Sequence, residues 1–411
     1  MYLASVDRPA TTRTKAAKVA ANVLALGTVS LVTDVSSEMV SAVLPLYLVV
    51  GLGLGPVVYG LVDGLYTGAT ALLRLVGGYV ADRVRRRKLI AGLGYGLSAV
   101  AKAGLLAAGT SVPGIGAAIV ADRAGKGLRT APRDALITLS TPAGSLGRAF
   151  GVHRAMDTAG AFAGPLVALA VLAASGQAFD AVFVTSGCIG AIGVLLLVLF
   201  VRDQRGPKAP AKAVDLRAAA ALLRLAPVRS LLLGAVLLGL STIGDGFVYL
   251  LLQRRESLAT GWFPLLAVGT SLVYLLFAVP LGTLADRIGR PAVFLGGYAA
   301  LLAVYLLLAL SWGGPGALVT TLFLYGLFYA ATDGVLMALA GPLLPPELRT
   351  TGLALIQTGQ ALAYLVSSVL FGLAWHWWDA TGATRAAAAA AALTLSASAW
   401  FLLRPRAGVA A

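Results

Sequence analysis

The chain has one cysteine and two histidines in 411 residues. Cys188 stands alone in an apolar run, which excludes a disulfide framework and a cysteine metal set. His153 and His376 are far apart, so a zinc or copper site built on imidazoles is not expected. Charge is scarce as well: 12% of residues are Asp, Glu, Lys or Arg, against ~25% in a soluble domain. With 59% hydrophobic residues and a mean hydropathy of +0.87, a soluble globular protein is excluded. Disorder is excluded by the same figures, because it needs low hydrophobicity. Acids are the scarcer sign, 17 against 32 Lys and Arg. In a soluble protein the resulting +15 would point to nucleic acid, so the position of each cation matters.

Long apolar runs are what the sequence has instead. A hydrocarbon core of ~30 Å needs ~20 apolar residues of helix. Stretches of that length, bounded by charges or Gly/Pro clusters, fall at 20–50, 57–81, 89–110, 114–138, 147–173, 177–201, 229–252, 261–284, 291–312, 316–341, 350–373 and 383–403. The expected fold class is all-α integral membrane with 12 transmembrane helices. A basic N-terminal arm (1–19), a six-helix bundle (20–201), a linker (202–228), a second six-helix bundle (229–403) and a tail (404–411) follow from these boundaries. The first 18 residues are polar and basic, without an apolar region followed by a cleavage site, so no cleaved signal peptide is expected.

Cations orient the spans, because cytoplasmic loops concentrate Lys and Arg. With both termini inside, 22 of the 32 cations are cytoplasmic, three (Arg254, Arg255, Arg385) lie on the opposite side and seven lie within spans. This asymmetry predicts a multi-pass protein of the plasma (inner) membrane with cytoplasmic termini. It also accounts for the net charge without a nucleic-acid partner.

The halves echo each other. Residues 78–87 read GYVADRVRRR and residues 282–291 read GTLADRIGRP, each at the end of an apolar span. At similar spacing, Asp134, a Pro-containing linker and Arg148-Ala149-Phe150-Gly151 correspond to Asp333, a Pro-containing linker and Arg349-Thr350-Thr351-Gly352. Asp34 has Asp245 near its equivalent. Two six-span halves related by a repeat are the arrangement of alternating-access transporters.

The doubled segment, Gly78 with Asp82-Arg83 and Gly282 with Asp286-Arg287 and Arg290, resembles the loop motif of the major facilitator superfamily. Arg123-Ala124-Gly125-Lys126-Gly127 is similar to a motif of its proton-coupled antiporters, with Lys126 in place of a glutamine. Gly160-Ala161-Phe162-Ala163-Gly164-Pro165 resembles the glycine-proline motif of its exporters, though Ala168 and Leu169 stand where glycines are usual. Thr33-Asp34-Val35-Ser36-Ser37-Glu38-Met39 and the Arg123 to Asp134 segment resemble a poorly characterised bacterial branch of permeases. The resemblance implies a helix-packing role for Gly160, Gly164 and Pro165, and a cytoplasmic gate at Asp82.

Buried charges are the candidate functional groups, because each costs at least about 2.5–3.5 kcal/mol in hydrocarbon unless it is paired or watered. At ~1.5 Å per residue, Asp34 lies ~20 Å along the first span and Glu38 one turn further on the same face. Asp34 and Glu38 are the expected proton-binding pair, with Arg123 as a breakable ion-pair partner; a permanent pair joining two spans is the alternative. Lys102, Lys126, Asp245, Tyr249, Tyr329 and Asp333 are candidate cavity residues. Asp63 and Arg74, eleven residues apart on span two, have no assigned partners. A second group forms the candidate cytoplasmic gate: Gly78, Asp82, Arg83, Arg129, Arg133, Asp134, Arg148, Arg154 and Asp157. Gly282, Asp286, Arg287, Arg290 and Arg349 are its counterparts in the other half.

The expected function is secondary active transport, as proton-coupled export of a small molecule. Proton-coupled movement of an organic anion is the alternative, kept by the density of cations around Arg123. A membrane enzyme or lipid-handling protein is the reading from another class. No Ser/His/Asp arrangement, His/Asp/Glu metal set or phosphate-cradling loop is visible, and Gly51-Leu52-Gly53-Leu54-Gly55 lacks the strand and helix of a nucleotide site. The partners expected are a small-molecule substrate, protons and the lipid bilayer; no cofactor beyond the proton gradient is implied, and a monomer is expected.

Overall fold

The computed structural model describes residues 20–84, 86–142, 145–204, 222–310, 312–344 and 349–403, with side chains other than those of 71–72, 74–84, 147 and 349–351. The arm, most of the linker and the tail fall outside these residues. The described elements are helices: α1 Ala21–Leu46, α2 Pro56–Val84, α3 Arg87–Ala108, α4 Val112–Leu139, α5 Leu146–Ala174, α6 Phe179–Phe200, α7 Ala226–Leu240, α8 Asp245–Arg255, α9 Pro264–Ile288, α10 Arg290–Ala309, α11 Pro315–Thr332, α12 Val335–Ala340 and α13 Arg349–Leu403. Among the described residues, nine helical stretches are long and apolar enough to cross a membrane. The 28-residue α4 is as long but packs six charges between Asp122 and Asp134. The 55 residues of α13 are two helices meeting at Asp379, whose carboxylate accepts from the Gly382 amide and so caps the second.

The outer surface is what lipid requires. Val100, Val279 and Leu393 are about 70% exposed, as suits side chains that face lipid rather than water. Trp262, Trp312, Trp377 and Trp378 are exposed at the end of the bundle opposite Ala21 and Leu403, where amphipathic rings favour the interface. That end is called apical below, and the end bearing Ala21 and Leu403 basal.

Small residues set the helix crossings, since van der Waals packing must replace the hydrophobic effect in lipid. A Cβ at Gly94 of α3 would lie 2.7 Å from the Gly125 carbonyl oxygen of α4, so the two backbones touch. The α1–α5 crossing is equally close: a Cβ at Gly160 would strike the Leu31 carbonyl, and one at Gly164 would lie 2.7 Å from Glu38 Cβ. The first of these contacts brings α3 side chains onto the α4 charges. The second fixes α1 so that Asp34 and Glu38 turn toward the interior.

Two spans expected to be continuous are broken. The 229–252 span parts at Ser241–Gly244 into α7 and α8, and the 316–341 span parts at Asp333–Gly334 into α11 and α12. Non-helical backbone survives at membrane depth only where its polar groups are satisfied or line a cavity. At the first break Tyr305 does this: its hydroxyl accepts from the Ile243 amide at 2.9 Å and donates to the Ser241 carbonyl at 3.1 Å. At the second, Gly334 takes φ +75°, a conformation L side chains rarely adopt.

The halves meet closely toward the apical end. A Cβ at Gly64 would lie 2.9 Å from the Leu365 carbonyl oxygen, one at Gly372 would lie 2.5 Å from the Pro56 oxygen, and one at Gly60 would strike the Ser368 oxygen. Phe247 joins the same seam, edge-on to Tyr59 at 4.6 Å and to Phe371 at 4.8 Å between ring centroids.

Candidate functional site

The charges of α4 sort themselves onto three neighbours. On the face toward α1, Arg129 Nη2 lies 3.4 Å from Asp34 Oδ1 and Lys126 Nζ lies 3.9 Å from Glu38 Oε1. Arg123 was the expected partner of these carboxylates. It instead pairs with its neighbour Asp122 and lies 3.8 Å from the Tyr66 ring centroid, a cation–π contact with α2. Asp122 is the hub of the second group, because Lys102 Nζ approaches it at 2.8 Å and Ser98 donates to it as well. Both positions follow from the Gly94–Gly125 contact. Lys102 is therefore packed into an α3–α4 ion cluster rather than lining a cavity.

The third group lies toward the basal end. Arg133 reaches Asp134 at 3.1 Å, Asp157 at 3.6 Å and Ser30 Oγ at 3.2 Å, and Ser30 also meets His153 Nε2 at 3.0 Å. Arg154 approaches Asp157 at 3.7 Å, whereas Arg148 is exposed at the start of α5. Arg129, grouped with this gate in the sequence, belongs by contact to Asp34 and by its guanidinium to the Tyr95 ring, 4.6 Å away. In the second half Arg290 pairs with Asp286 at 3.1 Å on an exposed surface and donates to the Ala338 carbonyl at 2.8 Å. Gly282 has open space around it, and Arg287 is exposed near the end of α9. The side chains of Gly78, Asp82, Arg83 and Arg349 lie outside the described ones.

Two cavities separate the halves at the depth of these charges. One, of about 270 Å³, is lined by Asp34, Glu38, Lys126, Asp157, Phe162 and Tyr274, so α1, α4 and α5 face α9 across it. The other, of about 320 Å³, contains Asp63, Asp245, Tyr59, Tyr66, Tyr329 and Tyr364 on its wall. Asp245 opens α8 just after the break, at a helix N-terminus where a carboxylate is favoured. It accepts from Tyr325 at 2.8 Å and from Tyr329, while Asp63 accepts from Ser368 and from Tyr59 at 3.5 Å. Tyr249 is buried against Phe263 and Tyr325 and borders neither cavity. Asp333 borders a third space, of about 250 Å³, and accepts from Tyr274 at 2.9 Å.

Sequence reasoning missed Asp122 and the Tyr59, Tyr364 and Ser368 hydroxyls, and it left Asp63 without a partner or a role. Asp122 carried a signal, an acid beside Arg123 at span depth. Asp63 carried the same signal without a visible partner, because Ser368 is 305 residues away. Among the described residues no group of three or more His, Cys, Asp or Glu could hold a metal.

Ion pairs at membrane depth, broken helices and cavities of about 270 and 320 Å³ between two bundles define a membrane transporter. The profile of the Major Facilitator Superfamily matches residues 26–264 and 255–410, and the chain belongs to that family. It is 32% identical to an uncharacterised MFS-type transporter of Methanocaldococcus jannaschii over 367 residues, which is 86% of this chain and 88% of that one. Among solved structures it resembles the nucleoside transporter NupG, with a TM-score of 0.77 at 16% identity over 93% of this chain and 100% of that chain. A POT family transporter in complex with 5-aminolevulinic acid gives 0.77 at 14% identity, covering 93% and 96%. At these identities the structural likeness concerns the fold alone.

Proposed function

We propose that this member of the family is a secondary active transporter that moves a small molecule by alternating access and couples that movement to protons at Asp34 and Glu38, in the direction of export. The observation that carries the reading is the α1–α4 pairing: two carboxylates one turn apart, each held by a single cation at 3.4–3.9 Å, beside a cavity between the halves. A charge-assisted hydrogen bond closes to ~2.7–2.9 Å, so these pairs are long and can exchange a cation for a proton. Apical closure, with cavities remaining below it, is one of the two states that alternating access requires. The close α1–α5 crossing at Gly160 and Gly164, in the segment that resembles the exporter motif, supports the direction. Twelve spans, cytoplasmic termini and a monomer complete the proposal.

The test is proteoliposomes enclosing a pH dye and challenged with ethidium, norfloxacin and benzoate as cationic, zwitterionic and anionic probes. The expected result is probe-dependent proton movement in the wild type that Asp34→Asn and Glu38→Gln each abolish. Flux that stays linked to protons in both variants would remove the coupling assignment.

A further inference from the structure

Charge pairing in the described spans is uneven. Lys102 and Arg123 share Asp122, Lys126 meets Glu38, Arg129 meets Asp34, and Arg133 meets Asp134 and Asp157. Each of these cations has a carboxylate within 4 Å. Of the described carboxylates that have no such cation, Asp180, Asp203, Asp333 and Asp379 are exposed; the two that are not, Asp63 of α2 and Asp245 of α8, both stand on the wall of one cavity. Their partners are hydroxyls, Ser368 and Tyr59 for Asp63, and Tyr325 and Tyr329 for Asp245.

Hydroxyl donors orient a carboxylate without neutralising it, and a carboxylate at membrane depth is met by a counter-charge, by water or by a proton; two of them on one cavity wall, from opposite halves, are placed to share a counter-charge. Among the described residues no Lys or Arg lines this cavity; Arg123 meets it through the Tyr66 ring, and Asp122 already holds that cation. The rest of the wall suits a cation equally. Tyr59, Tyr66, Tyr329 and Tyr364 line it, and tyrosine faces attract organic cations. One carboxylate comes from each half, so a bound cation would join the halves at their seam. A cavity of about 320 Å³ is at the small end of ligand sites and takes a molecule of single-ring size.

We infer that the cavity between Asp63 and Asp245 is the substrate site and that it selects an organic cation, an amine or quaternary ammonium, with the two carboxylates as counter-ions and the tyrosines as its walls. This assignment rests on the transporter reading for its place on a transport route, but it does not rest on proton coupling. It also turns the cation-rich side of α4 from a reason to expect an anionic substrate into a set of internally neutralised pairs.

Equilibrium binding tests it without transport. Purified full-length protein in nanodiscs is titrated calorimetrically with benzyltrimethylammonium, benzyl alcohol and benzenesulfonate. Saturable binding of the ammonium, none of the sulfonate, and affinity lowered roughly tenfold or more in Asp63→Asn and in Asp245→Asn are expected. Absence of ammonium binding, equal binding of the sulfonate, or wild-type affinity in both variants would overturn the assignment. The three-ligand comparison on wild-type protein decides the charge preference even where a variant does not fold. Binding at equilibrium needs no proton movement, and Asp180→Asn, at an exposed carboxylate outside these cavities, should bind the ammonium as the wild type does. Intact binding with flux unlinked to protons would therefore sink the coupling reading and leave this one standing.

Discussion

Arg129 Nη2 and Asp34 Oδ1 lie 3.4 Å apart across the α1–α4 interface, with Asp34 8% and Arg129 3% exposed. Removing one member of a buried pair strands the other, at about 3–5 kcal/mol, whereas replacing both by neutral groups costs far less. Arg129→Ala should therefore unfold at markedly lower temperature in detergent, and Asp34→Asn combined with Arg129→Gln should recover most of that loss. A double variant as unstable as Arg129→Ala would show that the guanidinium acts through the Tyr95 ring instead.

Asp122 is the one carboxylate serving both Lys102 and Arg123, and each of those cations is 3% exposed. Asp122→Asn strands two cations and should cost at least about 3–5 kcal/mol. The Asp134 carboxylate, 43% exposed, pairs with Arg133 where water screens it, and Asp134→Asn should cost about 0–1 kcal/mol. Thermal unfolding of the two variants side by side gives the comparison; equal losses would mean that Asp122 is compensated by groups other than these cations.

Glycines on α3 separate packing from propensity. Gly94 faces the Gly125 carbonyl, with 2.7 Å available to a Cβ, while Gly96, two residues on, has open space. Gly94→Val should force α3 from α4 and destabilise by about 1–3 kcal/mol or more, drawing Lys102 away from Asp122. Gly96→Ala should be neutral or stabilising by up to about 1 kcal/mol through helix propensity. A Gly94→Val protein with wild-type unfolding temperature would contradict the crossing.

Much of this was legible in the chain. Apolar runs gave the helices, and depth with i, i+4 spacing put Asp34 and Glu38 on one face toward a cavity, where the structure has them. Partner choice was not legible. Arg123 and Arg129 are six residues apart and thus on different faces of α4, and the Gly/Ala-rich sequence around them has no apolar stripe to say which face meets α1. The contact that decides it, Gly94 on Gly125, is tertiary. The breaks at Ser241–Gly244 and Asp333–Gly334 were hidden because an apolar run reads the same whether or not its helix is continuous. The first break is tolerable because Tyr305, 62 residues from Ile243, meets its amide and the Ser241 carbonyl.

The apical seam is the conformational lever. Gly60, Gly64 and Gly372 let α2 and α13 touch backbone to backbone, and interfaces of this kind are bistable rather than gradually deformable. A Leu at Gly64 would meet the Leu365 backbone at 2.9 Å and cannot be accommodated with the seam closed. Gly64→Leu should shift the protein toward the state open at the apical end. The readout is a cysteine placed at Thr67, on the cavity wall, in a Cys188→Ser background, labelled by a membrane-impermeant maleimide from each side of a reconstituted bilayer. Labelling from the apical side should rise in Gly64→Leu relative to the same protein with Gly64, and labelling from the basal side should fall. Unchanged accessibility from both sides would mean that the α2–α13 contact does not hold the seam, and that closure depends on Phe247 with Tyr59 and Phe371 instead.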